Sequence, residues 1–320
     1  MQRVFYPESA FALPKIPGAQ IKGLAKPVSR IFLGTHTQKD PSAFELYDAF
    51  YERGGNAFDS AHNYGEESSR TLGAWVNSRN VREKTVLIAK GAHTPDCFPQ
   101  NIRRDLDIQL DWLGTPYADL YMMHRDNPDV PVGEFVDAMN EQVREGRIRV
   151  FGGSNWTLDR VAEANAYARK KNVQGFGVLS NNLALAEMVN PVWPGCVHNH
   201  STADRERIRE LGVTFLPWSS QARGFFMNDL APGPDIIKDP WLADCWYSRE
   251  NFLRRDRANE LGRKHGLETV NIALGWVLGQ KFPCFPIVGP VNVWELKTCL
   301  QIFAFKLSDG DLLELNLGHL

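Results

Sequence analysis

Four side chains of complementary chemistry stand where short apolar runs give way to polar loops. Asp59 closes the run 57–59, and Tyr64 follows in Ser60-Ala61-His62-Asn63-Tyr64-Gly65. Lys90 follows the run 85–89, and His124 follows 120–123. A carboxylate, a phenol, an ammonium and an imidazole in one place can move a proton beside a changing charge. A free tyrosine has a pKa of about 10, too high for an efficient acid near neutrality. A neighbouring ammonium favours the phenolate and lowers that value, and a buried carboxylate keeps the ammonium charged. A histidine can hydrogen-bond a substrate oxygen and orient it. The set fits protonation of an oxyanion during carbonyl reduction, provided a hydride source lies opposite. Any one of these residues alone reads more simply as a packed polar group or half an ion pair. Their joint occurrence at consecutive strand ends is what points to chemistry.

The surrounding pattern says how they are positioned. Short apolar runs at 30–33, 57–59, 85–89, 120–123, 149–152, 177–179, 214–217 and 284–288 read as strands buried on both faces. Helical spacing fills the intervals: 42–53, 68–77, 99–113, 132–145, 158–171, 202–211, 254–265 with 269–279, and a C-terminal helical tail. Asp40-Pro41-Ser42 marks a helix start, and Gly54-Gly55 marks its stop. Eight strands each followed by a helix predict an α/β protein of the (β/α)8 TIM-barrel class. A doubly wound sheet would want a Gly-rich turn after its first strand; Leu33-Gly34-Thr35-His36-Thr37-Gln38 stands there instead. The expectation is one barrel domain over 1–320. Residues 1–28 form an irregular lead-in, 29–320 the barrel and tail, and 181–200 and 221–252 are long loops that could act as lids.

Composition narrows the function. Among 320 residues, 43% are hydrophobic and 23% charged, with a net charge of −2. That is globular usage with no basic excess for nucleic acid or for a membrane surface. The longest apolar runs, such as 272–278, fall short of the roughly 20 residues that span a bilayer. The opening residues carry no apolar secretory region, so a cytoplasmic protein is expected. Cys97, Cys196, Cys245, Cys284 and Cys299 form no CxxC pair and read as free thiols.

Three stretches resemble the motifs of the aldo-keto reductase family. Asp59-Ser60-Ala61-His62-Asn63-Tyr64-Gly65 resembles D-x-A-x-x-Y-G, and Asp119-Leu120-Tyr121-Met122-Met123-His124 resembles "DLYxxH". Residues 145–155, from Glu145-Gly146-Arg147 to Gly153-Ser154-Asn155, resemble "EGKVRxxGxSN". The resemblance covers about residues 29–318. It implies Tyr64 as general acid, tuned by Lys90 and Asp59, with His124 orienting the carbonyl. It also implies NADPH or NADH, giving up the pro-R hydride of C4, without a dinucleotide-binding domain. Ser154 and Asn155 would hold the carboxamide. Ser180 stands where the family usually has Gln, and Trp218 where an aromatic stacks on the nicotinamide. Ser219, Gln221 and Gly224 belong to the loop that would cross the pyrophosphate. Gly289, Val291 and Asn292 face the adenosine end. The usual basic partner of the 2′-phosphate appears as Val291, and the Glu-Asn near the adenine as Thr298-Cys299. A buried phosphate without a cation is costly, so NADH stands beside NADPH as cofactor.

Thr35, His36, His93, Arg125 and Trp156 also follow strand ends and are candidates for the substrate pocket. Six histidines (36, 62, 93, 124, 198 and 200) and five tryptophans (156, 193, 218, 241 and 246) are expected to line or cover the same mouth. His198-Asn199-His200 near Cys196 has zinc-like spacing, but no fourth ligand stands out and the reaction needs no metal. The polar neighbours favour a hydroxylated, sugar-like carbonyl substrate. Two rivals remain: a non-catalytic, cofactor-binding redox sensor, and a lyase using Lys90 as a Schiff base. Oligomeric state is not legible.

Overall fold

The computed structural model describes residues 13–316. Its centre is a ring of eight parallel strands: β3 (Phe32–Gly34), β4 (Ala57–Asp59), β5 (Val86–Gly91), β6 (Ala118–Met123), β7 (Ile148–Ser154), β8 (Val178–Ser180), β9 (Thr214–Phe215) and β10 (Ile287–Val288). Neighbours in the ring are neighbours in sequence, except that β10 pairs with β3, Ile287 opposite Phe32. Closure comes from the other edge: Phe215 bridges Cys284, and the Phe285 N–H donates to the Phe215 carbonyl at 2.8 Å. β5 and β6 are buried along their full length, as strands covered on both faces must be. The TIM-barrel expectation therefore holds.

Helices wrap the ring: α1 (Ala43–Glu52), α2 (Glu66–Ser78), α3 (Pro99–Leu113), α4 (Val132–Arg144), α5 (Leu158–Lys171), α6 (Thr202–Leu211), α7 (Pro240–Trp246), α8 (Arg249–His265), α9 (Thr269–Leu278), α10 (Val293–Leu300) and α11 (Asp309–Asn316). An aromatic cluster fixes the strand that carries Asp59. Phe58 of β4 meets Tyr47, Phe50 and Trp75 at ring separations of 5.6, 5.4 and 5.1 Å. Such pairs add about 0.5–1.5 kcal/mol each beyond the area they bury.

The lead-in corrects an expectation. Read as irregular, it contains a small antiparallel ribbon of β1 (Gly18–Ala19) and β2 (Val28–Ser29). Ile21, Leu24 and Val28 pack against Phe32, Ile88, Leu120 and Val150 from the barrel strands. Lys26 reaches the buried Asp119 carboxylate at 2.9 Å, near the start of β6. The ribbon therefore stoppers the N-terminal end of the ring. Burying its apolar residues gains about 25 cal/mol per Å² removed from water.

The two long loops are stitched to each other. Val189 donates to the Cys245 carbonyl at 2.8 Å, and Asn251 both accepts from the Glu187 N–H at 2.9 Å and donates to its carbonyl at 2.7 Å. The expectation for Trp246 fails, because this last residue of α7 is wholly buried in the core.

Candidate active site

Tyr64 sits on a single turn of 3-10 helix, His62–Tyr64, immediately after β4. Gly65 follows at φ 96°, a left-handed conformation that suits glycine, and lets the chain enter α2 at once. The turn brings the Tyr64 hydroxyl to Asp59 Oδ2, to which it donates at 3.0 Å. Lys90 Nζ, from β5, donates to the Tyr64 oxygen at 2.8 Å and pairs with Asp59 Oδ1 at 2.7 Å. His124, just after β6, places its ring 5.9 Å from that of Tyr64 and leaves a buried Nδ1 with no partner. The four side chains from three successive strands thus meet at the C-terminal end of the barrel, where βα loops carry the chemistry of such folds.

Protonation is set by burial. Burial first, then the charge and hydrogen bond of Asp59, hold the Tyr64 hydroxyl well above its ordinary value. The expected lowering by Lys90 is therefore not seen; the resting phenol keeps its proton. The charges of Arg125 and Arg223 pull the other way. Burial also holds His124 neutral, well below the usual imidazole range, with Lys90 adding to the effect.

The pocket candidates divide. His36 packs edge-on to Tyr64 at 5.0 Å, and His93 edge-on to His124 at 5.1 Å. Arg125 is buried beside them and donates to the His124 carbonyl at 3.0 Å. Thr35 is wholly buried, its hydroxyl donating to the Asp59 carbonyl at 2.9 Å, so it pins the end of β4 and does not line the pocket. Trp156 is also misplaced by the sequence reading. It lies wholly buried against Phe135 and Phe176, with its indole N–H donating to the Arg125 carbonyl at 3.1 Å. His62 approaches Asp105 and Trp112. His200 stacks on Trp276, and its burial pushes it down to about 3. Among the described residues, no group of three His, Cys, Asp or Glu side chains is placed to hold a metal ion.

The cofactor candidates form an arc beside the tetrad. Asn155, at φ 60°, donates to Ser154 Oγ at 3.1 Å and accepts from the Val197 N–H at 3.2 Å. The Ser180 hydroxyl is already committed to the Leu216 carbonyl at 2.7 Å. Trp218 is half-buried, and its indole nitrogen has no partner. After it, Ser219, Ala222 and Arg223 take φ values of 48°, 49° and 52°, followed by Gly224 at 97°. Non-glycine residues in this region cost energy and cluster at ligand clamps. The Gln221 side chain is held by the Val270 carbonyl and by Cys299. A half-buried tryptophan with an unpartnered indole nitrogen, followed by a loop with three non-glycine residues at positive φ, fits the nicotinamide and pyrophosphate ends of such a cofactor. At the far end, a side chain at Gly289 would meet open space. Val291 is exposed, and its N–H donates to Glu295 Oε2 at 2.9 Å, while Asn292 caps the Glu295 N–H at 2.9 Å. The Glu295 carboxylate thus stands beside Val291, the position that the sequence resemblance aligns with the 2′-phosphate partner. A cavity of about 560 Å³ opens beside it, between Thr37, Lys39, Glu45, Val291 and Trp294, away from the tetrad.

Trp193 was expected near the mouth, whereas the second and third residues of this region, Arg223 and Glu295, carried no earlier assignment. Trp193 lies 6.0 Å from Trp218, and the Arg223 guanidinium sits over Trp193 and Trp241 at 5.2 and 4.5 Å. The Arg inside the loop 219–224 was the signal for the second. The i to i+4 spacing of Val291 and Glu295 at a helix start was the signal for the third.

The family model for the aldo/keto reductase family matches residues 29–316. The uncharacterized oxidoreductase YrpG of Bacillus subtilis is 26% identical, over 90% of this chain and 91% of its own. An aryl-alcohol dehydrogenase (NADP+) of Phanerodontia chrysosporium is 26% identical, over 88% of this chain and 77% of its own. The thermostable aldo-keto reductase Tm1743, solved with the inhibitor epalrestat, superposes with a TM-score of 0.73 at 21% identity, over 95% of this chain and 100% of its own. The chain belongs to the aldo/keto reductase family and is an NAD(P)-dependent oxidoreductase.

Proposed function

We propose that the protein reduces an aldehyde or ketone to the alcohol, with Tyr64 as the proton donor. The observation that carries this reading is the contact of one phenol with both Lys90 and Asp59, at 2.8 and 3.0 Å, beside a neutral His124. The nicotinamide cofactor, when bound, supplies the hydride. His124 donates to the carbonyl oxygen and fixes its position. Tyr64 gives up its proton to that oxygen as negative charge develops there. Lys90 stays close to the phenol oxygen and stabilises the phenolate left behind, and Asp59 holds Lys90 charged. Ser154 and Asn155 would hold the carboxamide, with Ser180, whose hydroxyl donates to the Leu216 carbonyl, beside them; Trp218 would stack on the ring and 219–224 would hold the pyrophosphate.

The adenosine end supports NADH over NADPH, because Val291 brings no cation and Glu295 brings a negative charge. The substrate wall supports a flat, aromatic carbonyl more than a sugar-like one. Trp156 is absent from it, whereas Trp193, Trp218 and Trp241 gather at the mouth. The names of relatives, among them aryl-alcohol dehydrogenase and the norsolorinic acid reductase of Emericella nidulans, point the same way. Lys90 is engaged on both sides, which disfavours Schiff-base chemistry. One barrel unit in a reducing, cytoplasmic setting fits the five free thiols.

The test is oxidation of NADH and NADPH over a panel of aryl aldehydes and sugar carbonyls, wild type against Tyr64→Phe. Turnover should fall by about 100-fold or more, the worth of a general acid, while cofactor affinity is retained. Turnover at the wild-type level in the variant would sink the assignment of the acid. Cofactor binding with no turnover across the panel would favour the sensor reading.

A further inference from the structure

Two guanidinium groups overlook the Tyr64 hydroxyl, and neither has a carboxylate of its own. Arg125 is only 7% exposed. It donates one N–H to the His124 carbonyl, and its Nε has no partner. The groups whose charges reach it are the Cys196 and Cys97 thiols and Tyr64, with no acid among them. The backbone of Gly195 passes close by, so that a Cβ built there would lie 3.9 Å from Nε. Burying a cation without an anion is costly, and sites that do so hold a place for one.

Arg223 stands across the mouth on the loop after Trp218. Its guanidinium lies on the faces of Trp193 and Trp241, both partly exposed. Asp239 is the carboxylate whose charge reaches Arg223, but it forms no ion pair with it; its Oδ1 accepts from the N–H groups of Trp241 and Leu242 at the start of α7. Among the described residues, neither arginine forms an ion pair. Lys90, by contrast, is paired with Asp59 at 2.7 Å.

From the unpartnered, buried Arg125 guanidinium and the Arg223 guanidinium held between two tryptophans across the same mouth, we propose that the substrate is an anionic carbonyl compound: a flat aldehyde or ketone that also carries a carboxylate. The aromatic body lies against Trp193 and Trp241. The carboxylate takes hydrogen bonds from Arg125 and is attracted by Arg223, and the carbonyl is left facing Tyr64 and His124. Guanidinium suits this role because its fork matches a carboxylate in geometry and charge. The inference deepens the carbonyl-reductase reading and rests on it.

The probes are para-carboxybenzaldehyde and its neutral analogue para-formylbenzamide, reduced at low ionic strength by wild type, Arg125→Leu, Arg125→Lys and Arg223→Met. Wild type should favour the acid over the amide in kcat/KM by roughly tenfold or more, the effect of one charge-assisted hydrogen bond. That ratio should collapse in Arg125→Leu, be partly kept in Arg125→Lys, and fall in Arg223→Met. Added salt should erode the wild-type preference. A parallel tryptophan-fluorescence titration with terephthalate and with terephthalamide reads binding without turnover. An acid-to-amide ratio near one in wild type, together with equal binding of the two titrants, would overturn the proposal. Selective terephthalate binding with neither aldehyde reduced would instead leave the anion site standing and remove the carbonyl-reductase reading.

Discussion

At the residue scale, one phenol is held between a cation and an anion. The contact with Asp59 keeps the Tyr64 proton in place at rest, and in the proposed mechanism the contact with Lys90 supports the oxygen once the proton has gone. In the proposed reading, the Glu295 carboxylate sets the preference at the cofactor end. Glu295→Gln combined with Val291→Arg should shift the ratio of NADPH to NADH affinity by about tenfold or more towards NADPH, since a repulsion is removed and a cation added. Equilibrium dissociation constants from cofactor fluorescence measure this, and an unmoved ratio would show that the 2′-position lies elsewhere. His200 supplies a different handle. It is held neutral in the fold down to about 3, whereas the unfolded chain protonates it near 6.5. The unfolded state therefore binds the extra proton, so stability is complete above pH ~6.5 and declines as pH falls from there. The slope from this group is up to about 1.4 kcal/mol per pH unit. His200→Gln should flatten the acid limb of a urea-stability profile by about that amount; an unchanged limb would contradict it.

At the element scale, the ring depends on close approach between strands. A Cβ on Gly152 would sit 1.7 Å from the Val178 carbonyl oxygen, inside the pairing of β7 with β8. Gly152→Ala should lose about 3 kcal/mol or more, through overpacking against backbone that cannot yield. A urea midpoint close to wild type would mean that the two strands can part without cost. The same scale explains what was legible in the sequence. The eight strands were readable because burial on both faces leaves continuous apolar runs, and the tetrad because it lies at their ends. The ribbon of β1 and β2 was not, because two-residue strands have no period to detect. Trp156 and Thr35 were misread for another reason. Position after a strand says that a residue is near the mouth, but rotation about the chain decides whether its side chain faces the pocket or the layer beneath. Asp119 shows a related ambiguity: it belongs to the motif that ends in His124, yet its carboxylate binds Lys26, Arg82 and the Leu87 N–H at the opposite end of the barrel.

At the scale of the molecule, the barrel is plugged at one end and roofed at the other. Ile21 is fully buried among barrel-interior side chains, so Ile21→Ala should cost about 2–5 kcal/mol, the range for removing a large buried aliphatic group. Chemical denaturation measures it, and a loss well under 1 kcal/mol would show that the ribbon is a loose appendage. The segments 181–200 and 221–252 are bonded to each other, so the approach to Tyr64 is bounded by fixed tryptophans.

The seam of the ring carries one more consequence. β3 leaves the ribosome long before its partner β10 and the bridging Cys284 are made. Until then both β3 and β9 present unpaired edges, and pairing across so long a stretch of chain is slow. A nascent or truncated chain ending before residue 283 would therefore be an open, sticky sheet with its tetrad already translated. Its safe passage would depend on chaperones that shield strand edges, and enzyme activity would appear only once the last strand had been zipped in.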